Sequence, residues 1–301
     1  MDFYKKILKN KVLRFKLLSA LRFIPSKPML KAQYRIKLGR KLHLKNPQRY
    51  TEKVQWYKLN YRDPVMQKCA DKYWVREYVE SKGLGHLLNE LYAKFDSAED
   101  ISFDGLPDEF VLKLSNGSST NLLVEDKNAL NVEEIRKKFK DFYAQSGASA
   151  GREWVYDTDQ KPVVVAEKLL RDPNNANGSL RDYKILCFGG EPAYIICVDG
   201  RYTPEYCHVV YDTEWVKQDV VIGDSSNAAN YEKPETFDRM MEIARILSAD
   251  FPAARIDLYS IEGKIYFGEI TFFPWSGYMY FVPDSFDMEL GQVFELPEKN
   301  V

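Results

Sequence analysis

The amino-acid sequence predicts an α+β protein whose β-sheets are mainly antiparallel. Two β-rich segments, 182–201 and 254–271, are each interrupted by a glycine-containing turn, which is typical of β-hairpins. Three segments with helical periodicity lie outside these hairpins, at 71–85, 131–146 and 234–249. Because strand pairs and helices do not alternate strictly, antiparallel sheets are favoured over a parallel α/β sheet.

Composition limits the possible classes of protein. The 301 residues are 45% hydrophobic and 14% aromatic, which is enough for one large domain or two modest ones. The sequence shows no run of 18 apolar residues and no signal peptide, so we expect neither a transmembrane helix nor a leader. The four cysteines lack C-x-x-C spacing, which predicts buried thiols in a reducing cytosol.

The net charge of −1 conceals a strong asymmetry. Residues 1–50 contain 15 lysines and arginines and one acid, a net charge of +14, whereas the rest of the chain carries −15. Within the basic segment, residues 3–23 predict an amphipathic helix. Two interpretations remain open: residues 1–24 lie on an anionic membrane surface, or the helix packs on the body of the protein.

The other elements are predicted in order along the chain. Residues 51–60 predict a helix that the sequence NYRDP ends, and the helix 71–85 stops at Gly83 and Gly85. The helix 131–146 has an acidic first turn, which suits a helix N-terminus. Around these helices we expect a strand at 109–115, a strand at 161–170, a loop at 172–179, a hairpin about Gly189-Gly190 in 182–201, and an irregular polar loop at 202–233.

The hairpin 254–271 places Glu269 inside an otherwise apolar strand. If its turn is the three residues 262–264, pairing is symmetric about Gly263. The facing pairs are then Ile261 with Ile265, Tyr259 with Phe267, Asp257 with Glu269, and Arg255 with Thr271. The opposite face carries the core pattern Ile256, Leu258, Tyr266 and Ile270.

Facing carboxylates are unfavourable without a cation. Asp257 and Glu269 would have Cβ atoms about 5 Å apart and would repel each other when ionised. Mg²⁺ prefers oxygen ligands of this kind and shares them with substrate phosphates, and Arg255 adds charge for a phosphate. Two alternatives stay open: Arg255 simply pairs with these acids, or a one-residue slip puts them on opposite faces.

A polar loop follows the strand 109–115. The sequence SNGSS (115–119) can fold its backbone N–H groups over nucleotide phosphates, with Lys113 as a point charge. The segment does not match the pattern G-x-x-x-x-G-K-[ST], so it is no P-loop, and such sequences are also common in hairpin turns.

Together these segments resemble the ATP-grasp ligases. VLKLSNGSS, VVVAEKLL with DYKILCF, and RIDLYSIEGKIYFGEITFFP follow the order and spacing of that superfamily's motifs, and DKYWVREYVESKGLG is similar to its Asp-Lys helix. EKVQWYKLNYRDP, DYKILCFGGEP, RIDLYS and YFGEITFFP are more similar to the TupA-like branch. That branch is associated with teichuronopeptide and other bacterial surface polysaccharides, and its members are often labelled glycosyltransferases. The resemblance covers about residues 50–295.

The resemblance implies an ATP-grasp fold, in which two α+β subdomains with antiparallel sheets grip ATP between them. The implied division is a basic helical segment at 1–50, a helical lobe at 51–108, a small subdomain at 109–170, and a large subdomain with the metal site at 171–301. ATP and Mg²⁺, or Mn²⁺ in its place, are the implied cofactors.

Residue roles also follow from the resemblance. Lys72 and Lys113 match two phosphate-contacting lysines, and Arg255 matches an arginine near the reacting phosphate, so Arg255 and Lys113 are the catalytic candidates. The other matches are the phosphate loop Asn116, Gly117, Ser118 and Ser119; the adenine hinge Glu167, Lys168, Leu169 and Leu170; the ribose-binding acid Asp182; and the metal ligands Asp257, Glu269 and Thr271.

The sequence departs from the family pattern in two places. Thr271 stands where the family has the asparagine of E-x-N, which affects the number and placement of metals. The basic helical segment also replaces the large N-terminal α/β domain of many members, which often helps to build the site for the carboxylate substrate.

The implied activity is an ATP-dependent ligation of a carboxylate to an amine through an acyl-phosphate. Its substrates would be a uronic acid and an amino acid or other amine, in the synthesis of capsule, teichuronopeptide or O-antigen. The expected location is the cytoplasm or the inner face of the plasma membrane. The segments 115–119 and 202–230 are candidate lids, and the aromatic residues of 272–281 either stack on a sugar or belong to the core.

Other functions stay open at this stage. A metal-dependent glycosyltransferase could use Asp157 and Asp159 as an Asp-x-Asp site, although DTDQKP predicts an exposed turn. A phosphotransferase would use the same ATP cleft, and His208 could act as a base or be structural. A lipid-binding module without activity is supported only by the N-terminal helix, and no nucleic-acid motif is present.

Overall fold

A computed structural model of the protein describes residues 21–118, 120–145, 151–175, 179–200 and 203–301. Most of the predicted helix 3–23 and Ser119 of the predicted phosphate loop lie outside the described residues. No helix within these ranges combines the length and the apolar character that crossing a membrane requires.

The described part of the chain mixes helices with antiparallel strands, as the sequence predicts. The α-helices are α1 (Ser26–Leu38), α2 (Tyr50–Asn60), α3 (Pro64–Ala70), α4 (Val75–Ser81), α5 (Val132–Gln145), α6 (Phe237–Ser248) and α7 (Ser285–Val293). The strands are β1 (Leu91–Phe95), β2 (Phe110–Leu114), β3 (Asn121–Val124), β4 (Val164–Glu167), β5 (Asp182–Phe188), β6 (Glu191–Asp199), β7 (Cys207–Asp212), β8 (Val221–Ile222), β9 (Ala253–Ile261), β10 (Lys264–Thr271) and β11 (Phe281–Val282). Short 3₁₀ turns lie at Leu21–Phe23, Gly85–Leu87, Lys127–Ala129, Trp154–Tyr156 and Pro274–Gly277.

Two antiparallel sheets form the frame of the molecule. The smaller sheet has the strand order β1-β4-β2-β3, and the larger has the order β10-β9-β5-β6-β7. The hairpin of β5 and β6 has the predicted two-residue turn, in which Gly189 and Gly190 both have positive φ, 56° and 83°. Strand β1 lies in the predicted helical lobe 51–108 but pairs with β4 of the predicted small subdomain 109–170. The smaller sheet therefore contains strands from both segments. The division of the chain into four parts stays a prediction.

Each sheet has its own hydrophobic core. In β2, Phe110, Leu112 and Leu114 are buried on one face and belong to the same apolar cluster as Phe139 of α5. Because side chains alternate along a strand, Lys113 lies on the opposite face. Helix α6 packs on the larger sheet, and its buried apolar residues join the largest cluster. Core packing therefore fixes which face of β2 carries the lysine.

Three predicted elements differ in their extent. The expected loop 202–233 contains strand β7, whose first five residues are buried and which pairs with β6. A short apolar run flanked by polar residues gives little local signal, and the pairing with β6 decides its conformation. The helix expected at 71–85 covers Val75–Ser81, and the Asp71 carboxylate accepts the N–H groups of Tyr73 and Trp74 in the turn before it. The strand expected at 161–170 covers only Val164–Glu167, since Pro162 cannot donate to a sheet ladder.

At the turn of the last hairpin, the predicted pairing is wrong. The turn has two residues, Glu262 and Gly263, with φ of 48° and 76°, and this geometry matches the twist of the strands that it joins. Phe267, and not Tyr266, therefore joins the core. The observed pairs are Lys264 with Ile261, Ile265 with Ser260, Tyr266 with Tyr259, and Phe267 with Leu258.

A β-bulge at Gly268 restores the predicted register beyond it. The pairing shifts by one residue between Phe267 and Glu269. Because side chains alternate with a period of two, hairpin pairing without the bulge would put Asp257 and Glu269 on opposite faces. The predicted facing pairs are confirmed for Asp257 with Glu269 and for Arg255 with Thr271.

We expect Gly268→Ala to destabilise the protein by about 1–3 kcal/mol, because the added methyl group would lie 2.9 Å from the backbone oxygen of Asp257. Gly85→Ala is the matched control, since its methyl group would meet the side chain of Glu80 at 3.1 Å, which can move aside. Urea denaturation of both variants measures the difference. Equal stability of the two variants would contradict the role assigned to the bulge.

Candidate active site

A cleft lies between the two sheets and has a void of about 620 Å³, counted out to its open mouth. Both sheets contribute to its walls, with β2 and β4 on one side and the hairpin β9–β10 on the other. The predicted site residues that line it are Lys72, Lys113, Glu167, Leu170 and Glu269.

One wall of the cleft, formed by the smaller sheet and by the segment 72–76, carries three cations and one carboxylate. Lys113 Nζ donates to Glu167 Oε2 at 2.7 Å, and Arg76 Nη1 lies 3.6 Å from Glu167 Oε1. Glu167 is buried, so these contacts balance its charge. Lys72 lines the same wall, and burial lowers its pKa although Glu269 and Asp71 raise it. This wall therefore has more positive than negative charge.

The loop after β2 is tied to Lys72 at two points. The Lys72 backbone N–H donates to Ser115 O at 2.9 Å, and its Nζ donates to Gly117 O at 2.6 Å. Gly117 has to be glycine, because a Cβ atom there would lie 2.1 Å from Thr120 Oγ1. The Asn116 and Ser118 positions belong to the same short turn. The predicted phosphate loop and the predicted phosphate-binding lysine are thus in contact.

The predicted adenine hinge is braced from the neighbouring segment. Lys168 N–H donates to Glu90 O at 3.0 Å, and Asn89 Nδ2 donates to Lys168 O at 2.8 Å. Leu169 follows in the same extended stretch, and Leu170 lines the cleft. Of the four predicted hinge residues, Glu167 and Leu170 line the cleft.

The floor of the larger sheet is a buried ion cluster centred on Asp257. Arg255 donates to both carboxylate oxygens of Asp257, from Nε at 2.6 Å and from Nη2 at 2.7 Å. Lys184 Nζ donates to Asp257 Oδ2 at 2.5 Å. Burial raises the pKa of Asp257, and the two cations lower it in part. Asp257 is only 1% exposed, so its charge is neutralised inside the protein.

Glu269 and Thr271 stand at the edge of this cluster. Arg255 Nη2 donates to Glu269 Oε1 at 2.7 Å and to Thr271 Oγ1 at 3.0 Å, and Thr271 Oγ1 also donates to Glu269 Oε1. The Glu269 side chain is 40% exposed. Burial raises its pKa, but the positive charges of Arg255, Lys72 and Lys184 prevail and hold the pKa at about 2. Glu269 is therefore ionised throughout the physiological pH range.

The donor set fits a Mg²⁺ ion that nucleotide phosphates share, and not an all-protein cage. Within the described ranges, no group of three or more His, Cys, Asp or Glu side chains is arranged to hold a metal. Asp257 is turned toward two cations, whereas Glu269 lines the cleft and Thr271 is hydrogen-bonded to Glu269. Mg²⁺ usually takes one or two carboxylates and completes its shell with phosphates and water. The assignment of these three residues to a metal stays a prediction.

The predicted residues Asp182, Asp157 and Asp159 are not among the residues that line the cleft. Asp182, at the start of β5, is buried, and its Oδ2 lies 3.3 Å from Lys184 Nζ, so it belongs to the ion cluster beneath the cleft. Its role at a ribose stays untested. Asp157 and Asp159 are exposed in the turn before β4, as predicted, and they do not line the described cleft.

A strained turn follows β10 and borders the ion cluster. Trp275 and Ser276 have φ of 48° and 56°, which costs a non-glycine residue about 1–2 kcal/mol each. Lys58, which is 1% exposed, donates from Nζ to Ser276 O at 2.8 Å and to Gly151 O at 3.0 Å. Burial lowers the pKa of Lys58 to about 8, although Glu153 at 3.9 Å raises it.

Several site residues were not predicted from the sequence. Arg76 follows Lys72 by four residues in a segment predicted to be helical, and helical spacing could have indicated it. Lys184 alternates with Asp182 on β5, so strand periodicity could have placed it on the face of the acids. Asn89 and Lys58 give no such signal, because each acts on a backbone group far away in sequence.

Comparison with known proteins identifies the family. The model of the TupA-like ATP-grasp family matches residues 52–295. The chain therefore belongs to the TupA-like ATP-grasp family, as the sequence motifs indicate, and the predicted ATP-grasp fold class is confirmed. No curated protein matches the chain.

Solved structures show likenesses at low sequence identity. D-alanine–D-alanine ligase from Bacillus anthracis, complexed with ATP, is 16% identical with a TM-score of 0.39, over 73% of this chain and 55% of that one. L-amino acid ligase from Bacillus licheniformis is 17% identical with a TM-score of 0.46, over 83% and 56%. The ATP-grasp ligase PsnB with Mg and ADP is 11% identical with a TM-score of 0.40, over 74% and 57%. The chain thus spans little more than half the length of these three proteins.

We expect Lys58→Met to remove a pH dependence of stability between about pH 8 and pH 10. The folded pKa of Lys58 lies below its unfolded value of 10.5, so the unfolded state binds more protons in this window and stability rises with pH. Relative to Lys58→Met, the wild type should gain up to about 1.4 kcal/mol per pH unit. Urea denaturation at pH 7.5, 8.5 and 9.5 measures both profiles, and parallel profiles would contradict the shift.

Proposed function

We propose that the protein is an ATP- and Mg²⁺-dependent ligase that joins a carboxylate to an amine through an acyl-phosphate. The observation that carries this proposal is the cleft itself. Lys72, Arg76 and Lys113 form a cationic wall, and Glu269 faces them from the other sheet. The match to the TupA-like ATP-grasp family over residues 52–295 supports the ATP-dependent part of this proposal.

The cationic wall is suited to a nucleotide triphosphate because its present partners can be exchanged. Lys72 now binds a carbonyl oxygen, and Lys113 binds Glu167. Phosphate oxygens are strong acceptors and would compete for both ammonium groups. The adenine would lie against the hinge, near the backbone of Leu169 and Leu170. When bound, Mg²⁺ would neutralise part of the phosphate charge, held by Glu269, with Thr271 and Asp257 as the further predicted ligands.

We propose that Arg255 acts on the transferred phosphoryl group. Among the described residues its bonds use Nε and Nη2, which leaves Nη1 to donate to a phosphoryl oxygen. Its charge is secured, because Asp257 and Glu269 raise its pKa against the effect of burial. A fixed donor that needs no reorganisation stabilises the charge that develops in the transition state.

The proposed reaction has two steps, formation of an acyl-phosphate and its attack by an amine. A carboxylate oxygen of the substrate attacks the γ-phosphorus of ATP, the bond from that phosphorus to the bridging oxygen of ADP breaks, and ADP leaves. An amine then attacks the carbonyl carbon of the acyl-phosphate, phosphate leaves with the electron pair of the C–O bond, and the nitrogen loses a proton. The intermediate must be shielded from water, which assigns a covering role to the loop 115–119.

For the substrates, we propose a uronic acid and an amino acid or other amine, as part of the assembly of a bacterial surface polysaccharide. This context follows from the resemblance of the sequence motifs to the TupA-like branch, which is associated with bacterial surface polysaccharides. We place the enzyme in the cytoplasm or on the inner face of the plasma membrane, where sugar chains are assembled from activated precursors.

A basic helix face supports contact with an anionic membrane. On α1, Lys27, Lys31 and Arg35 are exposed at intervals of four residues, and Ile36 beside them is 56% exposed. The opposite face of α1 is buried against the protein. A row of cations next to exposed apolar surface suits anionic headgroups, which contribute about 1 kcal/mol per basic residue.

We expect Glu269→Gln to reduce Mg²⁺-dependent turnover of ATP at least about 100-fold, because the neutral amide is a poor metal ligand. The assay is ADP release with Mg-ATP over a panel of uronic acids and amino acids, with mass spectrometry of the product. Glu242→Gln, on the exposed surface of α6, is the matched control. Lys113→Ala should weaken ATP binding in the same assay series.

Normal turnover by Glu269→Gln, or ADP release that needs a hydroxyl acceptor and no amine, would refute the ligase proposal. Asp257→Asn should also abolish turnover, but it removes the buried charge to which both Arg255 and Lys184 donate, so a loss of stability could accompany the loss of activity. Glu269→Gln is therefore the cleaner test, since the Glu269 side chain is partly exposed.

We expect the triple variant Lys27→Glu, Lys31→Glu, Arg35→Glu to bind vesicles with 30% phosphatidylserine at least about 10-fold more weakly than the wild type. The matched control reverses three exposed lysines of α5, Lys137, Lys138 and Lys140. Co-sedimentation with vesicles measures both. Equal binding of the two variants would leave α1 with a packing role only.

A further inference from the structure

We propose that Trp275 is the stacking surface for the ring of a sugar acid, and that the turn 274–277 is built to hold its indole beside Arg255. The proposal rests on the proposed function, and it names the acceptor class at the same site: a six-membered sugar ring that carries the reacting carboxylate. A small acyclic amino acid would not need such a surface at this place.

The first observation is the conformation of the turn. Trp275, Ser276 and Gly277 all have left-handed φ values, 48°, 56° and 65°. Such a conformation is unfavourable for Trp275 and Ser276, and it persists only where the surroundings impose it. Strain of this kind often marks residues that a site has to place accurately.

The second observation is the support beneath the turn, which comes from α2. Gln55 Nε2 donates to Ser276 O at 2.9 Å and to Gly277 O at 3.0 Å, and Lys58 Nζ also donates to Ser276 O. Ser276 Oγ in turn donates to Glu153. Gln55 and Lys58 are both buried. Burial of the Lys58 ammonium group costs free energy, and its hydrogen bond to the turn offsets part of that cost.

The third observation is what the turn presents. The Trp275 side chain is exposed to 38%, although the adjoining residues Pro274 and Gly277 are buried. The Arg255 guanidinium lies 5.2 Å from the centroid of the indole, and the His208 ring lies 5.8 Å away at 74°. The Tyr206 hydroxyl, 2.8 Å from His208 Nε2, extends the same wall, and Tyr206 is 41% exposed.

These groups together select a ligand with two properties. A flat indole face gives extensive apolar contact to the C–H face of a pyranose ring. The adjacent Arg255, already the candidate for the phosphoryl group, attracts a carboxylate on that ring. A sugar acid stacked on Trp275 would therefore bring its carboxylate to the place where the γ-phosphate is expected.

The test compares the binding of three probes in the presence of Mg-ADP: galacturonic acid, methyl galactoside and acetate. Calorimetry gives the affinities, and the fluorescence difference between wild type and Trp275→Phe isolates the emission of Trp275. We expect Trp275→Ala to bind galacturonic acid at least 10-fold more weakly and Trp275→Phe 2- to 5-fold more weakly. Affinity for acetate and for Mg-ADP should be unchanged in both variants.

Two further variants make the result specific. Lys58→Met, which loosens the turn, should weaken galacturonic acid binding while leaving Mg-ADP binding intact. Phe23→Ala removes an aromatic ring that is 81% exposed and lies outside the site, and it should change nothing.

The inference is overturned if Trp275→Ala binds galacturonic acid as well as the wild type does, or if the wild type does not prefer galacturonic acid to acetate. If Trp275→Ala instead weakens galacturonic acid and acetate equally, Trp275 only shields Arg255 and the stacking role is wrong. Failure of the wild type to bind Mg-ADP would count against the proposed function, and so the two failures are distinguishable.

Discussion

The buried ion pair between Arg255 and Asp257 is the interaction on which the rest of the candidate site depends. Asp257 is almost fully buried, and a buried carboxylate is tolerated only with its charge balanced and its oxygens bonded. Arg255 does both, with two parallel hydrogen bonds, and Lys184 adds a third. Once these bonds are made, the guanidinium plane is fixed.

The position of that plane determines what surrounds it. Glu269 and Thr271 are held by the same Nη2 atom, and the indole of Trp275 lies against the same guanidinium. Carboxylate, hydroxyl and aromatic surface are thus arranged around one rigid cation. Rigid placement of this kind is what catalysis of phosphoryl transfer needs, since positioning and charge supply most of the acceleration.

The proposed function assigns a different role to the opposite wall of the cleft. Its lysines bond to Glu167 and to a loop carbonyl, and phosphate oxygens would replace these two partners when a nucleotide binds. Helix α2, in the N-terminal part of the chain, also contributes to the site, because Lys58 and Gln55 support the turn after β10.

Much of this architecture was predictable from local sequence. The periodicity of strands and helices, the turn at Gly189-Gly190 and the facing of Asp257 and Glu269 follow from rules that act over a few residues. The ATP-grasp family followed from motif order. The prediction that Asp257 faces Glu269 is confirmed, but it assumed a three-residue turn. The turn has two residues, and the bulge at Gly268 shifts the register back by one residue.

Only the tertiary structure decided the remaining features. Strand β7 exists because β6 offers it a partner, and no local pattern reveals that partner. The strained turn at Trp275 is held by residues more than 200 positions earlier in the chain. Sequence alone determines which residues can carry charge and, within a regular stretch of strand or helix, which of them share a face. Which charges meet across the cleft is set by packing, because contacts between distant segments depend on the whole fold.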